Sequence, residues 1–323
     1  MTHPFLVADV GGTNTRLALV RKGKIDASSV VKLSNAGHDR LQDVLITYQD
    51  RLNVTRCAGA AVAIAGPVSG GAGQLTNLGW AISQEELANC CHLEDPGQSH
   101  VLNDLQAQGL ALDLLDPQDL CPLVTSGANP DPPLKTATQL VIGIGTGFNC
   151  AAVFRRSGLP LVPPAECGHA GLPVQGETGF RFATYLTDQL GFAAIEDALS
   201  GRGLENCDRF IRSQRGIPGN RSSADILHAL QQGEPHARDC FLLFSKVLAQ
   251  VVGDLALTHL PFGGIVLAGG LARASAPFLK QAGFVEDFYD KGRFSTYLQR
   301  FPISVLDNDF AALIGASRLL TQR

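Results

Sequence analysis

Short apolar runs that end at glycine-rich turns recur along this chain. The runs at 5–10 and 15–20 flank one such turn, and the runs at 139–144 and 150–154 flank another, so each pair predicts a strand hairpin. The second run is apolar at successive positions, which is typical of a sheet covered on both faces. The similar layout of the two hairpins indicates an internal duplication.

Helical patterns alternate with further strands, and this alternation favours an α/β fold. The predicted helices lie near 38–52, where apolar residues recur at helical spacing, and near 83–91, from 105 onward, 178–190, 193–200, 237–259 and 310–320. The further strands are predicted at 58–65, 99–102, 263–268 and 302–307. Residues 116–138 are rich in proline, glycine, aspartate and threonine, so we expect a domain boundary just before them.

Composition narrows the class of protein. A length of 323 residues, 45% of them hydrophobic, is sufficient for a buried core in each of two domains. The net charge of −4 gives no general attraction to nucleic acid or to an anionic membrane. We see no apolar run long enough to span a bilayer and no signal-peptide pattern at the N-terminus, so we expect a cytoplasmic protein without nucleic-acid or membrane partners.

The glycine turns are candidate phosphate sites. Glycine permits a positive φ after a strand, and the backbone N–H groups of such a turn converge on an anion. The first turn follows Val10, the second is Gly145-Thr146-Gly147, and a third strand ends at Gly269-Gly270. The alternatives are an ordinary hairpin turn and, for the third, close packing of strand on helix. Neither a Walker A pattern nor a G-x-G-x-x-G that opens a helix is present.

Asp9 and Arg16 lie on either side of the first turn. A carboxylate at the end of a strand can hold Mg²⁺ or its water ligands while the turn binds phosphate. The alternative for Asp9 is a local hydrogen bond to backbone. Arg16 adds a cation beside the turn, or else forms a surface salt bridge.

Asn103 and Asp104 end the strand at 99–102 and precede a helix. One interpretation makes this pair a helix N-cap, with Gln106 closing a local hydrogen-bond pattern. The other makes Asp104 a general base that accepts the proton of a substrate hydroxyl.

A loop rich in proline and glycine carries Glu166, Cys167 and His169. The glutamate and the histidine can exchange hydrogen bonds with sugar hydroxyls, and charged groups in such loops often carry function. The alternatives are a solvated surface pair and a zinc site that uses Cys167, although no spaced cysteine pair accompanies it. Glu196, on a predicted helix, by itself favours an exposed position.

Taken together, these segments resemble the bacterial glucokinase family of actin-like, hexokinase-type ATPases. The resemblance extends over nearly the whole chain. It rests on the segments 9–16, 75–80, 102–104, 143–147, 166–169, 196–204, 264–270, 290–294 and 307–308.

This resemblance implies a two-domain actin-like ATPase fold of the α/β class, a duplicated ribonuclease H-like arrangement with an inter-domain cleft for the sugar. A small domain would span 1–110, completed by a C-terminal helix at about 306–323, and a large domain would span 111–305. It also implies a homodimer.

The activity that the resemblance implies is ATP-dependent phosphorylation of glucose at the 6-hydroxyl, with Asp104 as general base. The sugar ligands would be Asn77, Asn103, Asp104, Glu166, His169 and Glu196. ATP and Mg²⁺ would be bound by Ala8, Asp9, Val10, Gly11, Gly12, Thr13, Asn14, Arg16, Gly145, Thr146, Gly147, Gly269 and Gly270, with Asp9 holding the metal directly or through water.

Two departures from the family pattern keep other functions open. The family usually follows Gly-Thr-Gly with an apolar residue and a glycine, where this chain has Phe148 and Asn149. After His169 the family has a polar and aromatic stretch, whereas residues 170–172 are small and apolar here. A kinase for mannose, fructose or an N-acetylated amino sugar is one alternative. A non-catalytic sugar sensor or transcription regulator is another, although a first strand that begins by Phe5 is expected to leave no room for a DNA-binding segment.

Overall fold

The computed structural model describes residues 3–75, 78–125 and 136–321. The chain divides into two compact units. Unit 1 comprises Met1–Asp116, Arg156–Pro164 and Asn308–Arg323, and unit 2 comprises Pro117–Arg155 and Ala165–Asp307. The expected domain limits at 110/111 and 305/306 stay a prediction.

Within the described part of the first 116 residues, strands and helices alternate as the sequence pattern indicates. They are β1 (Phe5–Val10), β2 (Asn14–Arg21), β3 (Lys24–Ile25), β4 (Val31–Ser34), α1 (Leu41–Arg51), β5 (Gly59–Ile64), β6 (Val68–Ser69), β7 (Ala72–Gln74), β8 (Ala81–Ser83), α2 (Gln84–Cys90), β9 (Ser99–Asn103) and α3 (Asp104–Ala111). The predicted strands and helices of this part are present, with bounds that differ by a few residues, as is usual at element ends.

The described remainder of the chain adds a second sheet and most of the helices. Its elements are β10 (Leu120–Val124), β11 (Gln139–Ile144), β12 (Phe148–Val153), α4 (Gly176–Leu190), α5 (Ile195–Ala198), α6 (Gly201–Arg215), α7 (Ser223–Gln231), α8 (Pro235–His259), β13 (Ile265–Ala268), α9 (Gly270–Leu279), α10 (Phe284–Tyr289), α11 (Ser295–Leu298), β14 (Ile303–Leu306) and α12 (Ala311–Thr321). The sequence pattern missed α6, α7, α9, α10 and α11. Strand β12 begins two residues earlier than expected because the hairpin pairs Phe148 directly with Ile144.

The main sheet of unit 1 has the strand order β3-β2-β1-β5-β9, with β4 also paired to β2. Strands β1 and β2 form the antiparallel hairpin, and β1, β5 and β9 run parallel. One face packs Leu6 and Ala8 against α1, and the other packs Val7 and Ala61 against Leu313 of α12. This two-sided burial confirms the expectation for an apolar strand without alternation.

The main sheet of unit 2 has the order β10-β14-β13-β11-β12. Its β11–β12 hairpin is antiparallel, and β11, β13 and β14 run parallel. Strands β12-β11-β13-β14 of unit 2 therefore have the same spatial order and the same relative directions as strands β2-β1-β5-β9 of unit 1. This repetition agrees with the duplication that the two glycine-turn hairpins indicate.

Helix α8 corrects the expectation that the chain has no apolar run long enough to span a bilayer. It is long and apolar enough to cross a membrane, with a mean hydropathy of 1.7 over its most apolar 18-residue window. Of that window, 72% is buried inside the protein, where Phe241, Phe244 and Val252 belong to the core of unit 2. These properties are those of a core helix.

Helix α12 completes unit 1 by packing closely on α3. A Cβ atom added at Gly315 would overlap the carbonyl oxygen of Ala107, so only glycine permits this approach. Arg318, which is 6% exposed, donates to the carbonyl of Leu110 at 3.0 Å and to the carboxylate of Asp113. The C-terminal helix thus joins the first domain-forming segment by both shape and hydrogen bonds.

Replacing Gly315 with alanine should lower the free energy of unfolding by about 1–3 kcal/mol, because the added methyl group forces the two helices apart. Chemical denaturation followed by circular dichroism measures this loss. Thr321→Ala, at an exposed position of the same helix, is the control and should change stability by no more than about 0.5 kcal/mol. Equal stability of G315A and wild type would contradict the close packing of α12 on α3.

Candidate active site

Three parallel strands of unit 1 end at the same level and place the candidate residues at one edge of the sheet. Val10 of β1 lies beside Ile64 of β5, and Ile64 lies beside Asn103 of β9. Neighbouring strands are about 4.8 Å apart, so the ends of β1 and β9 are separated by about 10 Å. Ligands of parallel α/β sheets bind at this carboxyl edge.

A buried asparagine that the sequence pattern did not reveal holds the first glycine turn. The turn closes with a hydrogen bond from Gly11 N–H to Asn14 O at 3.0 Å. Asn35, which is 4% exposed, donates from Nδ2 to Gly11 O at 2.7 Å and from its backbone N–H to Thr13 O at 2.9 Å. Its Oδ1 accepts from the hydroxyl of Thr15 at 2.8 Å. The turn is therefore fixed before any ligand binds.

The turns require glycine for different reasons. This corrects the expectation that the glycines of these turns adopt a positive φ. Gly269 has a φ of +102°, and a Cβ there would lie 2.5 Å from Ile144 O. Gly11, Gly145 and Gly147 lie outside the left-handed region. At Gly147 the constraint is space instead, since a Cβ would lie 2.5 Å from Oε2 of a neighbouring glutamate.

Asp9 is the penultimate residue of β1, and only 17% of its side chain is exposed. Arg16 on β2 lies 3.5 Å from its carboxylate and 3.7 Å from the carboxylate of Asp309. Burial raises the pKa of Asp9 to about 6, although Arg16 lowers it, and Asp309 adds a smaller upward effect. Asp9 thus contacts Arg16 rather than local backbone, and it is a carboxylate that is costly to keep charged.

Asn103 acts as the N-cap of α3, as one of the two interpretations predicted. Its Oδ1 accepts from Leu105 N–H at 2.9 Å, and its own N–H donates to Oε1 of Gln106 at 3.0 Å. Its Nδ2 also donates to Gly66 O at 3.1 Å, which ties β9 to the turn after β5. Asp104 is the first residue of the helix, where the helix dipole stabilises a negative charge. The cap therefore also places a carboxylate at the sheet edge, and the two interpretations are compatible.

Unit 2 repeats this edge with its own two turns. Gly143 of β11 pairs with Ala268 of the parallel strand β13, so the turns at 145–147 and 269–270 leave adjacent strands at one level. Helix α9 begins at Gly270, and the N–H groups of its first turn point towards this edge. Gly201 N–H donates to Gly145 O at 2.8 Å and fixes the first of the two turns against α6.

Glu196 is mostly buried and faces the second turn, so the expectation of an exposed helix residue is wrong. Its side chain is 20% exposed. Oε2 accepts from the N–H of Phe148 at 3.0 Å, and Oε1 accepts from Arg202 at 3.1 Å. The carboxylate is thereby held directly against Gly147.

The loop with Glu166 and His169 packs on strand β12. A short 3-10 turn, Cys167–His169, lies so close to the strand that a Cβ at Gly168 would overlap Phe148 O. Both Glu166 and His169 are exposed at the surface of unit 2. Burial raises the pKa of Glu166, the nearby His169 lowers it and the nearby Glu196 raises it.

Within each unit, then, the structure brings together the residues that the sequence singled out. Ala8 to Asn14, Arg16, Asn103 and Asp104 share one sheet edge in unit 1. The two glycine turns, Glu166, His169 and Glu196 form one group in unit 2. Asn77 lies outside the described residues.

The residues around Asp9 fit a magnesium ion that keeps most of its water. Across 3–75, 78–125 and 136–321, no cluster of three or more histidine, cysteine, aspartate or glutamate side chains is arranged to hold a metal. Mg²⁺ usually binds through one or two carboxylates, several waters and substrate phosphates, and does not need such a cluster. A single carboxylate next to a candidate phosphate-binding turn suits that mode.

The family model for glucokinase matches residues 6–323 of this chain. The glucokinase of Yersinia enterocolitica serotype O:8 is 33% identical over 328 residues, which cover 100% of this chain and 98% of that protein. The glucokinase of Stenotrophomonas maltophilia strain K279a is 31% identical over 321 residues, with coverage of 98% and 94%. The resemblance inferred from the motifs is confirmed.

Solved structures confirm the actin-like ATPase fold class. A glucokinase from an Antarctic psychrotroph superposes with a TM-score of 0.82 at 28% identity and covers 99% of both chains. A ROK family glucokinase from Streptomyces griseus, solved with glucose and AMPPNP, superposes with a TM-score of 0.62 at 17% identity, over 97% of this chain and 98% of the other. At that identity the second likeness supports the fold alone.

Replacing Asp9 with asparagine should stabilise the protein above about pH 7 and have little effect near pH 4. With a folded pKa of about 6 against 3.8 for the free side chain, folded wild type holds an extra proton between these values. Its stability therefore falls as the pH rises through this window, and the variant avoids a loss of about 1–3 kcal/mol. Denaturant unfolding in a chelating buffer at both pH values measures the difference.

Asp309→Asn is the matched control, because its carboxylate also faces Arg16 but is 52% exposed. It should show no comparable change with pH. An unfolding free energy of D9N that stays equal to wild type at both pH values would show that Asp9 is not buried as described.

Proposed function

Because the chain belongs to the glucokinase family, we propose that it transfers the γ-phosphoryl group of ATP to the 6-hydroxyl of glucose. The observation that carries this proposal is that Val10, Ile64 and Asn103 lie side by side where β1, β5 and β9 end. It puts a carboxylate that can accept a hydroxyl proton, Asp104, about 10 Å from a turn that can hold phosphate.

The nucleotide phosphates are assigned to the glycine turns. In unit 1 these are the backbone and side chains from Ala8 to Asn14 with Arg16, and in unit 2 the turns at 145–147 and 269–270. The N–H groups of the first turn of α9, which has no side-chain cap, suit an anion. Asp9 would hold Mg²⁺, directly or through water, and the ion would neutralise charge on the phosphates.

The sugar hydroxyls are assigned to side chains that can both accept and donate hydrogen bonds. Asn103 retains one Nδ2 proton beyond its contact with Gly66 O, so it can cap α3 and still bind a ligand. Glu166, His169 and Glu196 lie near one another in unit 2. We propose that these side chains bind the sugar hydroxyls, with Asp104 and Asn77 as further ligands. Binding energy from these hydroxyls then orients the reacting one.

The reaction itself needs positioning and charge stabilisation more than covalent chemistry. Asp104 accepts the proton of the 6-hydroxyl as the hydroxyl oxygen bonds to the γ-phosphorus. The bond between that phosphorus and the β-γ bridging oxygen breaks, and its electron pair leaves with ADP. The products are glucose 6-phosphate, ADP and a proton.

A kinase for another hexose is the second candidate, and the backbone pairing beside the sugar ligands favours it. Leu172 N–H donates to Ala193 O at 2.9 Å, and Ile195 N–H donates to Ala170 O at 3.0 Å. The stretch after His169 is thus a small apolar ribbon. It offers fewer polar side chains for reading individual hydroxyls than a polar rim would.

Other expectations stay predictions for this enzyme. They are a homodimer, a cytoplasmic location, the absence of nucleic-acid and membrane partners, and the domain limits 1–110 with about 306–323 and 111–305. The net charge of −4 supports the exclusion of nucleic acid.

Replacing Asp104 with asparagine should lower kcat roughly 10²–10⁴-fold, because the proton acceptor is lost while the shape of the side chain is kept. The KM for ATP should stay within about twofold, since the phosphate turns are unchanged. A coupled assay of ADP release measures both. Glu94→Gln, an exposed carboxylate paired with Arg56, is the control and should keep full turnover. Near-normal turnover of D104N would refute the assignment of the base.

The hexose panel tests the substrate. ADP release should show the highest kcat/KM with glucose, and lower values with mannose, fructose and N-acetylglucosamine, because each changes a hydroxyl that the proposed sugar ligands would contact. A higher value for another sugar favours the second candidate. No response to any sugar would remove the kinase proposal.

A further inference from the structure

Asn149 uses its amide to hold the loop that carries Glu166. Its Nδ2 donates to Ala165 O at 2.5 Å and lies 3.4 Å from Oε2 of Glu166. Its Oδ1 accepts from Cys167 N–H at 3.1 Å and from Cys150 N–H at 2.8 Å. One side chain on strand β12 therefore contacts three consecutive residues of the loop.

The strand that carries Asn149 is itself a rigid support. Asn149 pairs with Gly143 inside the β11–β12 hairpin, next to the Gly-Thr-Gly turn. The loop residues that follow Glu166 pack tightly on the strand, because Gly168 lies directly against Phe148 O. Farther along, the loop pairs with the segment before α5, through a bridge between Gly171 and Ala194. On the N-terminal side of these contacts, the backbone before Glu166 is held by the Asn149 amide.

We propose that Asn149 is a positioning residue for the sugar site: it orients the Glu166 carboxylate and fixes the loop at 165–167. This inference rests on the proposed function, in which Glu166 binds a sugar hydroxyl. Asn149 acts through Glu166 and the loop backbone, and no contact between Asn149 and the sugar is required.

The chemistry of the position calls for an amide. The side chain must donate to a carbonyl and to a carboxylate on one side and accept from two backbone N–H groups on the other, and asparagine does both. Aspartate has the same shape but has no donor when ionised. It would place a second carboxylate beside Glu166, so that the two favour sharing one proton.

Asn149 and Glu166 also lie beside other ionisable side chains. His169 and Glu196 are the charged side chains that act on Glu166. The thiols of Cys150 and Cys167 lie beside Asn149 and share a hydrogen bond, and this bond together with burial raises the pKa of Cys167. The same hydrogen bond lowers the pKa of Cys150, although burial of that thiol opposes the change.

Three variants of the full chain test the proposal by calorimetric titration with glucose at about pH 5.5 and about pH 8. In Asn149→Asp, the Kd should rise about tenfold or more at the higher pH, because a hydrogen bond to a charged group is replaced by repulsion. At the lower pH a shared proton restores the donor, and the excess over wild type should shrink to about threefold. In Asn149→Ala, the Kd should also rise over wild type, and the factor should be the same at pH 5.5 as at pH 8, within about twofold.

Gln139→Glu is the matched control. It makes the same change from amide to carboxylate at the far end of the same hairpin, where Gln139 accepts from Arg155 at 2.8 Å. Its Kd ratio to wild type should be near one at both pH values. For all three variants the KM for ATP should stay within about twofold, and kcat should change less than the KM for glucose.

The outcomes separate this inference from the function it rests on. Wild type that neither binds glucose nor releases ADP contradicts the proposed function, and this inference with it. Wild type that binds glucose, with N149D and N149A binding equally well, contradicts this inference alone. A loss in N149D that is equal at both pH values would show that Asn149 does not act on the Glu166 carboxylate. If N149D does not fold, as circular dichroism would show, unchanged glucose binding by N149A overturns the proposal.

Discussion

The parallel pairing of β1, β5 and β9 fixes where chemistry can take place in unit 1. Because Val10, Ile64 and Asn103 lie side by side, everything that follows them leaves the sheet at one edge. The first glycine turn and the helix that starts at Asp104 are therefore neighbours, although about 90 residues separate them in sequence. A slip of one residue in either pairing would turn the side chains to opposite faces and separate the two.

Side chains between distant segments then hold each turn in place. Asn35 fixes the turn after β1, and Glu196 and Asn149 fix the turn and loop around β12. These polar groups are largely buried and hydrogen-bonded, so the site is rigid without ligand. Asp9 is the exception, because it is held charged against the cost of burial and only partly compensated by Arg16. Such a group gains from a cation, which suits the magnesium that the proposed reaction needs.

The sequence pattern was sufficient for the hairpins, the parallel strands, α8 and α12, because their apolar periods are strong. It was not sufficient for α6, whose buried face includes Asp208. That carboxylate is acceptable in the core because Arg212 donates to it at 2.7 Å and Arg221 at 2.8 Å, partners that no periodicity reveals. The motifs located the candidate site residues, but they missed Asn35, which acts on a turn 24 positions away. Contacts of this kind depend on which strands become neighbours.

The central claim is that the carboxyl edge of the unit 1 sheet is where a sugar hydroxyl meets its base. A crystal structure with glucose and a non-hydrolysable ATP analogue tests it most directly. The account predicts a carboxylate oxygen of Asp104 within about 3 Å of the glucose 6-hydroxyl, with phosphate oxygens on the turn after β1. A glucose molecule bound with its 6-hydroxyl away from Asp104, or phosphates that contact none of the glycine turns, would contradict it.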